Sequence, residues 1–208
     1  MSIKSTLTIA FAIATLGALP VRFAHAGADS APDETIVLEG LFHPTDILID
    51  KWGVPHIFAD NERDAFFVQG FNAARDRLFQ IDLWRRRGLG QLAEVFGPAY
   101  VEQDKATRLF LYRGDMAAEW KRYGPDAKPA ATRFAAGVNA YIDWMAAHPG
   151  RLPYEFRKVG YWPAKWKAED IVRIRSHGIT RNVKSEVARA KVVCQSSLAD
   201  DSVRVGLQ

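Results

Sequence analysis

The chain has 208 residues, 48% hydrophobic and 25% charged, enough to build one domain with a sizeable core. Its formal charge is +4, but the first 26 residues hold Lys4 and Arg22 and no acid, so the remainder has 26 basic and 24 acidic residues, a net of +2. That balance argues against a nucleic-acid or polyanion binder, for which only the arginine clusters speak. A lone cysteine, Cys194, rules out an internal disulfide.

The first 26 residues read as a secretory signal. Lys4 gives the positive start, Leu7 to Leu19 is apolar, and Ala24-His25-Ala26 fits an A-x-A cleavage site. The apolar run is short for a bilayer span. Export to a periplasm is therefore expected, with no membrane attachment after cleavage, and 27–33 is expected to be a disordered lead-in.

Thr35–Gly40 and Thr45–Asp50 are short β-like runs. Lys51-Trp52-Gly53 is a turn, and a strand follows from Val54 to Ala59, which makes a hairpin. A two-stranded hairpin is marginal alone, so these strands are expected to complete a larger sheet whose other strands lie outside this chain. From Asn61 the period becomes helical: Phe67, Phe71, Ala74, Leu78 and Ile81 share a stripe, Asp60 or Asn61 can cap the start, and Gly88 and Gly90 end it. Asp82 and Arg86 stand four apart, a helix-supporting pair, while Arg85 extends the stripe of Phe71 and Leu78. Arginines placed there are expected to meet carboxylates.

Gln91–Gly97 reads as a short helix, Val101–Gly124 as helix broken near Gly114, and Asp126–Gly150 as a cleaner helix with Phe134, Val138, Tyr141 and Met145 on one face. A Pro- and aromatic-rich loop leads into a last helix from near Ala168, interrupted by Gly178 and Thr180. The end, Ser196 to Gln208, shows no cap or terminal strand, and processing or truncation is expected there. No nucleophile elbow, P-loop, H-E-x-x-H, C-x-x-C or dinucleotide fingerprint occurs. His43, His56, His148 and His177 lack site-like spacing, His177 being notable for its place near the helix break.

The block Asp50–Gly97 carries D-x-x-G-V-P-H-I, D-A, G-F, A-x-D-R-L-x-Q-x-D, R-R and G-x-L-A-E-x-x-G; Asp104 with Arg108, "YWPAKW" and "TRNVKSE" follow in order. In this it resembles the α subunit of the penicillin acylase family, from about Thr35 to Cys194. The resemblance implies an α+β fold: a mainly helical α chain whose hairpin completes the αββα sandwich of N-terminal-nucleophile hydrolases with a β chain, 34–208 being the α-subunit region. It implies a precursor cut into two chains, with the nucleophilic serine on the β chain and no catalytic residue in this one. Arg181 matches an arginine that lines and gates the acyl pocket, and Asn182 stands where the well-known members have Phe, a departure that bears on acyl preference. Glu186 matches a calcium-binding glutamate, though closer to the arginine than usual; a carboxylate paired with Lys184 or Arg189 is the plainer reading of it. The substrates implied are small acyl amides, β-lactams or acyl-homoserine lactones. A non-catalytic periplasmic protein that binds small acyl compounds is the alternative.

Overall fold

The computed structural model describes residues 18–25, 34–174 and 183–206. They form an α+β arrangement, a four-stranded sheet against a mostly helical body. The strands are β1 (Ala18–His25), β2 (Glu34–Glu39), β3 (Thr45–Ile49) and β4 (Pro55–Phe58), in the order β2-β1-β3-β4. Strands β3 and β4 make the expected antiparallel hairpin, with Ile47 opposite Ile57 and Leu48 opposite His56. Its turn explains the D-x-x-G-V-P motif. Asp50 accepts the Trp52 and Val54 amides at 2.8 and 2.9 Å, and Gly53 takes the left-handed conformation at φ +79°. These bonds, the Val54 amide first, hold the Asp50 carboxyl below its ordinary pKa.

Strand β1 was not anticipated. It comes from the segment read as leader, and pairs antiparallel with β2 (Leu19 opposite Leu38) and parallel with β3 (Phe23 opposite Ile47). Val21 is fully buried among Ile36, Leu38 and Ile47. The sheet thus has a strand in its middle supplied by this chain, where further strands were expected to lie outside it. The lead-in 27–33 lies outside the described residues.

Helix α1 (Glu62–Leu89) has the caps its sequence announced: the Asn61 side chain accepts the Asp64 amide, and Gly90 closes the end at φ +66°. Helices α2 (Ala93–Phe96), α3 (Val101–Phe110), α4 (Met116–Trp120) and α5 (Ala127–Ala147) follow. The expected break near Gly114 falls between α3 and α4, where Asp115 caps α4 by accepting the Ala117 and Ala118 amides. Then come α6 (Tyr154–Val159), α7 (Ala168–Arg173), α8 (Val183–Gln195) and α9 (Leu198–Gly206). The terminal run without an obvious cap is therefore helical, and its cap is Ser197, whose hydroxyl accepts the Asp200 amide. That signal is real but short, and easily passed over in a Ser-rich stretch.

The core lies where α1 crosses α5. Phe67, Val68, Phe71, Ala74 and Leu78 of α1 pack on Ala135, Val138, Tyr141, Ile142 and Met145 of α5, all buried. The helix stripe read from the sequence is thus the buried face. Phe71 and Tyr141 meet edge to face at 5.4 Å. Two glycines permit the crossing. A Cβ on Gly70 would overlap the Phe134 carbonyl, and one on Gly137 would overlap that of Phe67. Alanine at Gly137 would gain roughly 1 kcal/mol of helix propensity. It would also force two backbones apart, and overpacking of that kind costs about 3 kcal/mol at its upper range. The clash wins. Gly137→Ala is expected to lower stability by about 2 kcal/mol net, read as a lower urea midpoint with an unchanged slope.

Candidate functional site

The region expected to bear the acyl pocket runs from the end of α7 to the start of α8. Arg181, Asn182 and His177 lie outside the described residues, which begin again at Val183. Glu186 stands in the first turn of α8 and is exposed. Arg189, one of the two bases expected to pair with it, instead reaches the buried Asp201 of α9 at 3.4 Å. Among the described residues no group of three His, Cys, Asp or Glu side chains could hold a metal. Glu186 brings a carboxylate, the donor type calcium takes, but the described residues form no metal-holding group around it.

What the structure displays in full is how this region is carried. Asp82 and Arg86 sit on one turn of α1, buried, with Arg86 Nε donating to Asp82 at 2.9 Å and its NH1 to Glu94 of α2 at 3.3 Å. Arg85 Nε donates to Asp170 of α7 at 2.8 Å, and its NH2 to the Lys165 carbonyl at 3.3 Å. Asp170 also accepts the Lys167 amide, which caps α7. The expected pairing of these arginines with carboxylates is what the fold contains. Tyr161 lies under the Arg86 guanidinium at 4.9 Å. Burial first, and the Asp82 carboxylate next, push its hydroxyl far above the ordinary tyrosine range. That phenol stays protonated at any physiological pH and is no base.

The rest of the motif block serves the same end. A Cβ on Gly88 would come within 2.8 Å of Ile174, so the glycine lets the exit of α7 lie against α1. Gly90 leaves room for Arg108, whose Nε donates to the Gly90 carbonyl at 2.8 Å. Asp104 accepts the Leu92 and Ala93 amides at 3.0 and 2.7 Å, tying α3 to the start of α2. Asn139 of α5 exchanges two bonds with Trp166, its Nδ2 donating to the carbonyl and its Oδ1 accepting the amide at 2.7 Å. That fixes the aromatic loop before α7.

Three histidines have partners among the described residues. His56 pairs with Asp50 at 3.2 Å, His43 lies 3.6 Å from Asp64, and His148 stacks on Trp144 at 4.3 Å. Cys194 is a free, exposed thiol. Sequence reasoning passed over a knot at the N-terminus of α1. Asp64 is fully buried and accepts the Phe42 and His43 amides, the Asn61 amide group and Arg133 NH2 at 3.2 Å. Its place three residues after the cap Asn61 was a usable signal; nothing marked Arg133, 69 residues on.

Comparison with known proteins agrees with this architecture. The family profile described as Penicillin amidase matches residues 44–207. The penicillin acylase 2 proenzyme of Pseudomonas sp. (strain SE83) is 35% identical over 133 residues, 64% of this chain and 17% of that protein. Penicillin G acylase of Escherichia coli is 33% identical over 62% of this chain and 15% of its own length. An acyl-homoserine lactone acylase, QuiP of Pseudomonas aeruginosa, is 31% identical over 77% of this chain and 19% of its length. The chain thus spans about a fifth or less of these relatives. A thermostable penicillin G acylase from Alcaligenes faecalis superposes with a TM-score of 0.61 at 26% identity, covering 76% of this chain and 87% of that one.

An α+β body of this kind, matched by relatives named as acylases, defines a chain of an amidohydrolase family. More particularly, the chain belongs to the penicillin amidase family.

Because Arg85 and Asp170 are both buried, deleting one partner strands the other. Asp170→Ala is expected to cost about 3–5 kcal/mol, whereas Arg85→Met with Asp170→Leu should recover most of that loss. Urea midpoints of the single and double variants give the comparison. Equal losses would show that Asp170 acts only as the α7 cap.

Proposed function

We propose that residues from 34 onward are the α-subunit portion of a periplasmic amidohydrolase that cleaves the acyl–amide bond of β-lactams, acyl-homoserine lactones or related small amides. The observation that carries this reading is the family match across 44–207, whose most specific block is the set of residues that ties α1 to α2, α3 and α7. Those residues shape a shell and do no bond chemistry.

On this reading the precursor is exported, loses its leader after Ala26 and is cut into this chain and a β chain. The serine that begins the β chain attacks the amide carbonyl while its own α-amine takes the hydroxyl proton. The tetrahedral intermediate expels the amine, which leaves with that proton, and water then releases the acid from the acyl-enzyme. Oxyanion donors on the β chain steady the intermediate. The hairpin joins the αββα sandwich, and this chain alone is inactive. Arg181 and Asn182 line the acyl end of the pocket, and Glu186 gives one oxygen to a structural calcium completed by β-chain ligands.

Exposed apolar side chains on the last two helices support the need for a partner chain. Val187, Val193, Leu198, Val203 and Val205 are each more than a third exposed. Helices α8 and α9 pack chiefly on each other.

The deciding experiment expresses the complete reading frame with export intact. Mass spectrometry and N-terminal sequencing should find two chains, the second beginning with serine. The purified pair should release amine from penicillin G or an acyl-homoserine lactone, and this chain alone should release none. A frame that stops at codon 208, with acyl compounds bound but not turned over, would overturn the enzyme in favour of a binding protein.

Selectivity tests the pocket. Small side chains leave room for longer acyl groups, and one methylene in a hydrophobic pocket is worth roughly 1–3 kcal/mol. Asn182→Phe in the two-chain enzyme is expected to shift kcat/KM toward aryl-acetyl substrates by about tenfold or more relative to long acyl chains. Unchanged ratios across acyl groups would place Asn182 away from the pocket.

A further inference from the structure

Strands β2 and β3 are consecutive in the chain and antiparallel, with only residues 40–44 between them. Five residues can close a direct hairpin. Yet β2 and β3 are not neighbours, because β1 lies between them. At about 4.8 Å per neighbour, they stand roughly 10 Å apart.

The gap is not made by β1. The linking loop is tied to the helices: Asp64 of α1 accepts the Phe42 and His43 amides at 3.0 and 2.9 Å. Arg133 of α5 donates to the Gly40 carbonyl at 2.7 Å and to the Arg63 carbonyl at 2.9 Å. Leu41 is buried in the core, and Gly40, at φ +98°, leaves just enough room for the Phe67 ring. None of these groups belongs to β1. The loop that sets the spacing is therefore held by α1 and α5 and not by β1.

The strand that fills the gap is a poor permanent occupant. Pro20 lies opposite Val37 and has no N–H to offer, a residue rarely found inside a sheet. The expected peptidase cut, after Ala26, falls one residue beyond the end of β1. Losing β1 would bare main-chain groups along Val37–Glu39 and Thr45–Ile49 and uncover Ile36, Leu38 and Ile47. Two facing unpaired edges with an apolar floor are a template for an extended segment.

We propose that Ala18–His25 is a stand-in strand, which fills the slot between β2 and β3 until the leader is removed, after which an extended segment of the second chain of the same precursor takes its place. This rests on the leader and two-chain reading above. The incoming segment runs parallel to β3 and antiparallel to β2, and puts an apolar side chain where Val21 now sits. The leader thereby keeps a sticky double edge covered while the rest of the precursor is still being made.

Hydrogen exchange with mass spectrometry tests this on two forms, the full precursor retaining its leader and the mature two-chain protein. In the precursor, the amides of Leu19 and Val21 to His25 should exchange about tenfold or more slowly than in a free peptide of the same sequence. Val21→Asp should abolish that protection and leave α1 and α5 protected; if that variant unfolds, the precursor-against-peptide comparison decides alone. In the mature protein, Val37–Glu39 and Thr45–Ile49 should remain protected, together with a segment of the second chain. Leader amides that exchange at the peptide's rate, edges that exchange freely in the mature protein, or a mature chain that still begins before Ala18 would each overturn the proposal. A precursor with a protected leader but no amidase activity after maturation would sink the functional reading and leave the stand-in role of β1 intact.

Discussion

The close crossing of α1 and α5 is the constraint on which the remainder depends. Gly70 and Gly137 each place a bare Cα against the carbonyl of the facing helix, and the two backbones approach as far as their atoms allow. At that separation Phe67, Phe71, Val138 and Tyr141 pack in one buried cluster. There, too, Arg133 of α5 reaches across to Asp64, the Arg63 carbonyl and the Gly40 carbonyl. Burial lowers the pKa of that guanidinium and Asp64 pulls it back up, but an arginine stays charged under any ordinary condition. A buried carboxylate with a permanent cation and three further donors is fully compensated, so it can fix a loop in place rather than strain it.

From that crossing, order passes in two directions. Toward the chain start it runs through the pinned loop to the spacing of β2 and β3. Toward the chain end it runs along α1 to Arg85 and Arg86, and through Asp170 and Glu94 to α7 and α2. Glycines recur where elements must touch: Gly88 against Ile174 and Gly90 against Arg108. The family signature is therefore mechanical. Its arginines fix α7 and α2 against α1. Buried ion pairs stabilise little compared with apolar packing, yet they cost much when half removed, which makes them better at fixing one geometry than at adding stability.

How legible this was in the sequence follows from the range of each interaction. Helix α1 was readable because its period, its cap Asn61 and its stop at Gly90 are all local. The β3–β4 hairpin was readable for the same reason, since Asp50 and Gly53 act within four residues. The pairing of Asp82 with Arg86 was visible as a spacing of four, but the partner of Arg85 was not, because Asp170 lies 85 residues away. The Asp64 knot was hidden likewise by the distance to Arg133. Strand β1 escaped for another reason: the apolar run of a leader and that of a buried strand have the same composition, and only a neighbouring strand distinguishes them. The pocket assignments, Arg181 and Asn182, came from resemblance alone, and of the matched residues only Glu186 falls within the described structure.

The sheet takes its inner strand, β1, from the start of the chain, while the loop beside that strand is fixed by α1 and α5. On the stand-in reading of β1, a slot held by side chains on two helices is an interface prepared before its permanent occupant arrives, so the entropic cost of shaping it is met by folding of the helical body. Exposed valines and a leucine on α8 and α9 show the same preparation at the other end of the chain, where apolar residues face outward on helices that pack chiefly on each other. Between these two surfaces the helical body carries most of the buried apolar side chains, and the sheet adds Val21, Ile36, Leu38 and Ile47. The chain is in this sense a preformed mould: its core is its own, and on the two-chain reading a partner would take over the place of β1 and cover the last helices.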